Sequence, residues 1–153
     1  MLRFMSLSSG SCGNCYYLGT DNGGILIDAG VSLRRLKKAL QEYELDTDSF
    51  SAVLVTHDHL DHIRHLGSFC KRLNKPVYTT GTIHSALARH TFTAPTISPC
   101  RRIMEGEGFV ESFTTFQIVG DAGASTAVQA TSGQKTDDQC CQNCLPIKIL
   151  LLL

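Results

Sequence analysis

Residues Thr56-His57-Asp58-His59-Leu60-Asp61-His62 put three imidazoles and two carboxylates within six positions of one another. Those are metal-ligand types, and the spacing matters. An extended segment lets His57 and His59, two apart, aim both rings at one ion. Asp61 and His62 follow after a turn and reach a second ion a few ångströms away. Imidazole and carboxylate donors suit Zn²⁺ and also accept Mn²⁺ or Fe. The bland alternative is a polar surface loop enriched in His by chance. The position of the cluster, directly after a buried strand, argues against that.

The elements around it are those that present a site. Ala52–Val55 is a short apolar run, β-branched at Val53 and Val55, and reads as a buried strand. A helix is expected from about Leu60 to Leu73, so the cluster crowds a strand-to-helix junction, where α/β folds place ligands. Cys15–Gly19 and Gly24–Asp28 read as two strands joined by Asp21-Asn22-Gly23, a hairpin signal. Asp28 stands where the apolar run Ile25-Leu26-Ile27 ends. Upstream, Ser8-Ser9-Gly10-Ser11-Cys12-Gly13-Asn14 is a run of small residues that allows tight turns and close approach to a ligand. Ser32 can cap a helix over Leu33–Tyr43, with Leu33, Leu36, Leu40 and Tyr43 on one face. Arg34, Arg35, Lys37 and Lys38 then face away, as a solvated surface first and a phosphate contact second. A strand from Lys75 to Tyr78 and a helix over Ile83–His90 complete an alternation that indicates an α/β layered fold.

Composition narrows the class. The chain has 153 residues, 14 basic and 14 acidic side chains and a mean hydropathy near zero. That fits one domain with one core, and a zero net charge argues against gripping nucleic acid by bulk charge. No apolar run approaches the ~20 residues of a membrane span. Seven Cys, unevenly spaced, do not read as a secreted disulfide framework. With no signal-like start, the expected location is the cytoplasm.

At Thr56–His62 the sequence resembles the metallo-β-lactamase-fold hydrolases, whose signature is His-x-His-x-Asp-His. Ser8–Tyr16 and Leu26-Ile27-Asp28-Ala29-Gly30 narrow the resemblance to the bacterial YycJ/WalJ-like branch, over Met1 to about Phe116. The resemblance implies an αββα sandwich with a two-metal, zinc-type site at one edge of its sheets. His57 and His59 would ligate the first ion, and Asp61 and His62 the second. Asp28 would stand behind them, accepting hydrogen bonds that hold the metal loop. The implied chemistry is hydrolysis by a metal-bound hydroxide, with Asp61 as the catalytic carboxylate that orients it. The branch's association with DNA makes an exonuclease-like phosphodiesterase the preferred reading and DNA the expected substrate.

The sequence also departs from that pattern. The family requires a further His, a bridging Asp and a final His, yet no His follows His90. All eleven aromatic residues lie at or before Phe116, and the last 36 residues carry only five charges. The expectation is a partial metallo-β-lactamase-like domain over 1–117, the N-terminal half of the sandwich. An atypical, poorly structured tail over 118–153 would follow, from truncation or a frameshift, and impair activity. Such a half would leave one apolar sheet face exposed, inviting self-association. Two alternatives stand beside the hydrolase: an inactive fragment or small zinc-binding module, and a glyoxalase-type thioesterase on the same fold. His84 and His90 are expected in surface or packing roles, and His65 in a structural one. Cys12-x-x-Cys15 and Cys141-x-x-Cys144 have zinc-like spacing but read as incidental thiols.

Overall fold

A computed structural model describes residues 2–96 and, beyond them, the backbone of four strands lying between residues 100 and 132; side chains are described through residue 95. Among the described residues, nine strands and four α-helices follow one another, with strands and helices alternating from β3 to β6 in the α/β manner the sequence indicates. Strands β1 (Arg3–Ser8), β2 (Cys15–Thr20) and β3 (Gly23–Ile27) form an antiparallel meander. The β2–β3 turn is the one foreseen at Asp21-Asn22-Gly23, and Gly23 supplies its positive φ of 119°. From β3 onward the sheet is parallel, through β4 (Phe50–Leu54), β5 (Val77–Thr80) and β6 (Cys100–Ile103). The six strands lie in chain order. A second, antiparallel sheet comprises β7 (Gly108–Glu111), β8 (Thr114–Asp121) and β9 (Thr126–Ser132).

Helices supply the parallel crossovers. Helix α1 (Leu33–Glu42) links β3 to β4, and Ser32 caps it as expected, its Oγ accepting from Arg35 N at 3.3 Å. Leu36 and Leu40 are its buried residues. The expected helix over Leu60–Leu73 is two: α2 (Leu60–Ile63) and α3 (Leu66–Leu73). The break has a definite cause. A continuous helix needs the carbonyls of Asp61 and His62 for the N–H groups of His65 and Leu66. Both are taken from outside, by Asn14 N (2.7 Å) and Ala29 N (2.7 Å), and His65 N turns instead to Ala29 O (2.9 Å). Helix α4 (Gly81–Leu87) starts two residues before the expected Ile83, because Thr80 caps it through Ile83 N.

The core has two sides. Tyr17, Leu26, Val53, Val55 and Val77 meet Leu36, Leu40, Phe69 and Leu87 from the helices. On the other face Tyr16, Leu18, Ile25, Ile27, Ala52, Leu54 and Tyr78 form a second buried cluster. Among the described residues the expected exposed apolar face is therefore not found: Leu18, Ile25, Ile27 and Leu54 are fully buried, and β7 of the second sheet lies against β3. Each such side chain contributes about 1.5–3 kcal/mol by leaving water. The segment after Phe116 showed no usable period, yet β8 crosses residue 117 and β9 follows it. Residues 133–153, with Cys141, Cys144 and the terminal Leu run, lie outside the described residues.

The topology places chemistry at one edge. The parallel strands β3 and β4 are adjacent, and their C-terminal ends deliver Asp28 and Thr56 side by side.

Candidate metal centre

Asp28 is fully buried, and a bare carboxylate there would cost several kcal/mol. Three donors offset that cost. Thr56 N reaches Oδ1 at 2.9 Å, the Thr56 hydroxyl reaches Oδ1 at 3.0 Å and Oδ2 at 2.8 Å, and His62 Nδ1 reaches Oδ2 at 2.7 Å. Its backbone is left-handed, φ 65°, a conformation Asp tolerates better than most residues. With its lone pairs committed to the protein, Asp28 organises neighbours rather than facing outward. The Asp28, His57 and His62 donor atoms lie within 4.8 Å of one another, which makes this the one cluster of such groups among the described residues.

The hydrogen bonds also fix ring orientation. The Thr56 hydroxyl, donating to Asp28, accepts from His57 Nδ1 at 3.0 Å. His62 Nδ1 donates directly to Asp28. One carboxylate thus holds the Nδ1 proton of His62 directly and that of His57 through the Thr56 hydroxyl, and both Nε2 atoms are turned away from it, the usual way a protein prepares histidines for a metal. The His57 and His62 rings are 3.7 Å apart by centroid, and His59 stands edge-on to His57 at 4.7 Å. Burial, and next the neighbouring His62, hold His57 below the ordinary histidine pKa, with Asp28 opposing. Neutral imidazole is the ligating form.

Asp61 and His62 sit together on α2, with Asp61 Oδ2 3.6 Å from His62 Nε2. Two donors about 2.1 Å from a tetrahedral ion lie about 3.4 Å apart, so the spacing of this pair suits an ion that takes the place of the Asn14 amide now set between them. His59 is exposed at the N-cap of α2, its carbonyl accepting from His62 N and Ile63 N. The donor set (three imidazoles, one partly exposed carboxylate) fits a Zn²⁺-class ion by its chemistry.

Two residues at the centre were not singled out from sequence as site residues. Thr56 links Asp28 to His57. Asn14, buried, packs its side-chain amide against the pair on α2: Nδ2 lies 2.9 Å from both Asp61 Oδ2 and His62 Nε2. Its orientation is set by donors on the other side, since Gly10 N (2.9 Å) and the Tyr16 hydroxyl (3.3 Å) both give hydrogen bonds to Oδ1. A polar residue between Gly13 and Cys15, in a run of small residues, was the available signal. The other histidines stand apart from the cluster. His90 Nε2 lies 3.8 Å from Asp58 Oδ2, and His65 is tied by its backbone to Ala29. Cys12 and Cys15 are free, and burial, then Asp28, pushes the Cys15 thiol strongly up, away from the thiolate a zinc site requires.

A half-sandwich with buried, outward-facing imidazoles at a sheet edge is the frame of the metallo-β-lactamases, and the comparisons agree. The fold superposes on the metallo-β-lactamase of Cronobacter sakazakii with a HARLDQ motif at a TM-score of 0.67, with 16% identity over 83% of this chain and 51% of that one. It superposes on the Rm3 metallo-β-lactamase at 0.66, with 18% identity, over 94% and 59%. The metallo-beta-lactamase superfamily model matches residues 11–125, and the chain belongs to that superfamily. Among curated relatives, the exodeoxyribonuclease YycJ of Bacillus anthracis is 38% identical over 95 residues, 62% of this chain and 36% of that protein. The exodeoxyribonuclease WalJ of Streptococcus pneumoniae is 29% identical over 118 residues, 72% and 44%. The chain thus spans less than half the length of these two relatives. No described helix is long and apolar enough to cross a membrane.

Proposed function

We propose that the chain carries the metal-binding half of a hydrolase that cleaves phosphodiester bonds in DNA, in the manner of an exonuclease. The observation that supports it most is the arrangement of His57 and His62, their Nδ1 sides held by Asp28 and Thr56 and their Nε2 sides free of Asp28. His57 and His59 would hold one ion and Asp61 and His62 another, and the ions would supply Lewis acidity and a water of lowered pKa. The chain's own residues supply the rest. Asp28 fixes ligand orientation from behind. Asn14 holds Asp61 in place through Oδ2 before an ion enters, and the Asp61 carboxylate would then orient a water and take its proton. The two curated relatives are named exodeoxyribonucleases, which favours DNA over the small thioesters of a glyoxalase-type enzyme.

The test is metal content with turnover. Zinc-loaded protein should bind two ions and degrade linear DNA from an end, slowly because no His follows His90 to supply the family's later ligands, and Asp61→Asn should abolish that turnover. A second reading, a zinc-binding module without turnover, has one observation in its favour. All histidines lie at or before His90, so every imidazole at the site comes from one loop. One ion per chain and no hydrolysis of DNA or of a generic phosphodiester would select it.

A further inference from the structure

We propose that two connected grooves along α1 and α3 form a track for the phosphodiester backbone of single-stranded nucleic acid, leading to the metal loop. The first groove lies between the helices and presents Arg34, Lys37, Lys38 and Arg72. The second shares Arg72 and adds Arg64, Lys71 and the partly exposed ring of Phe92. Neither groove is lined by a carboxylate, and none of these six cations has an ion-pair partner among the described residues. Unpaired cations lining one concave path match a chain of phosphates, whose neutralisation releases bound counterions.

The zero net charge conceals a partial separation of charge: Lys37 also lines a small cavity with Asp46, but the other five cations line the two carboxylate-free grooves. Asp21, Asp46 and Asp48 gather around a different cavity, beside the Thr20–Gly23 hairpin at the end of the sheet remote from Asp28. Both helices of the track run away from the site end: α1 begins shortly after Gly30, and Arg64 directly follows α2. Phe92 ties the track to the loop itself. Its ring is 5.4 Å from that of His90, and His90 lies 3.8 Å from Asp58, the residue between His57 and His59. An exposed aromatic face offers an unpaired base a stacking platform, which selects single strands over duplex. An anionic membrane would use the cations but has no use for a stacking ring beside a hydrolytic loop.

The choice of partner rests on the nuclease reading, so binding is measured with catalysis switched off. The full chain in EDTA is titrated with a fluorescein-labelled oligothymidine by anisotropy over a range of salt. Wild type should bind with strong salt dependence. Lys37→Glu/Arg72→Glu should raise Kd at least tenfold and reduce the salt slope by about 1.4, the value for two lost phosphate contacts on a single strand. Phe92→Ala should weaken single-strand binding about tenfold and leave duplex binding unchanged. Lys75→Glu, outside both grooves and 3.9 Å from Asp48, should bind as wild type. The proposal is overturned by absent or salt-insensitive binding, by equal loss in Lys75→Glu, or by binding to phosphatidylserine vesicles in place of the oligonucleotide. Binding without cleavage after zinc is restored refutes the nuclease reading and leaves the track standing. Cleavage with affinity unaltered in the groove variants refutes the track alone.

Discussion

The amide of Asn14 lies 2.9 Å from His62 Nε2, on the opposite side of the ring from Asp28. With Asp28 receiving the Nδ1 proton, Nε2 is the acceptor, and it takes its hydrogen bond from Asn14 Nδ2. That lone pair is the one an ion would use, so Asn14 keeps the α2 half of the site in place without an ion and gives way when one enters. Asn14→Ala should destabilise the metal-free protein by about 1–2 kcal/mol in urea unfolding, because Gly10 N, Asp61 and His62 lose partners. Removing the competitor should also make the zinc-induced rise in Tm larger than in wild type. An equal or smaller rise would show that the amide does not contest the ion.

Asp28→Asn keeps the shape and reverses one hydrogen bond. An amide can accept from Thr56 N through one atom only and then sets an N–H against His62 Nδ1–H. Relief comes from moving the His62 proton to Nε2, which removes the lone pair. Zinc affinity, measured by competition with a chromogenic chelator, should fall about 10–100-fold, the usual cost of losing such a partner. Affinity within a factor of two of wild type would mean that Asp28 does not set the tautomer.

Thr56 acts through its hydroxyl, which joins His57 Nδ1 to Asp28. Thr56→Val fills the same space without that bridge, so it should lower zinc affinity, while Thr56→Ser should restore it. Loss in Thr56→Ser with affinity retained in Thr56→Val would assign the effect to packing of the β-branch instead.

The candidate ligands were legible in the sequence because their chemistry is concentrated in one loop, and the strands β3 and β4 because they are buried apolar runs. What holds the loop was less legible. The contacts Asn14–Asp61 and Asp28–His62 join residues 47 and 34 apart, and no local pattern encodes such pairs. The break between α2 and α3 belongs to the same class. The periodicity of Leu60–Leu73 is helical throughout, but the carbonyls of Asp61 and His62 are claimed by Asn14 and Ala29, so tertiary hydrogen bonding overrides propensity. The strands β8 and β9 are not legible in the sequence because Thr, Gln, Ser and Gly dilute the alternation on which strand reading depends.

Acid should destabilise the metal-free fold. Burial holds both His57 and His65 below the ordinary histidine pKa, with His62 and Arg64 respectively adding to the shift. The unfolded chain therefore binds more protons than the folded one between the lowered pKa values and about 6.5, and stability falls as pH drops through that window. The urea midpoint in EDTA should be lower at pH 5.5 than at pH 7.5, and His65→Gln should flatten part of the difference. A midpoint that rises on acidification would reverse the sign and refute the burial argument.

Gly30 marks where the two halves of the site meet, and it leaves no room for a side chain. Its N–H donates to Asn14 O at 3.0 Å, and a Cβ would overlap the carbonyl of Asp61. That carbonyl is itself bonded to Asn14 N, so it cannot retreat without separating the Ser8–Asn14 loop from α2. Gly30→Ala should therefore cost about 3 kcal/mol, at the upper end for overpacking. Zinc affinity should fall with it, because Asp61 and His62 move with the backbone. Gly81→Ala provides the contrast, since a Cβ there meets nothing within 4 Å and the position opens helix α4. It should be neutral or add up to about 1 kcal/mol, from the helix preference for alanine. Paired urea curves and zinc titrations of the two variants measure this, and a Gly30→Ala protein with wild-type midpoint and zinc affinity would show that Gly30 is not packed backbone to backbone against Asn14 and α2.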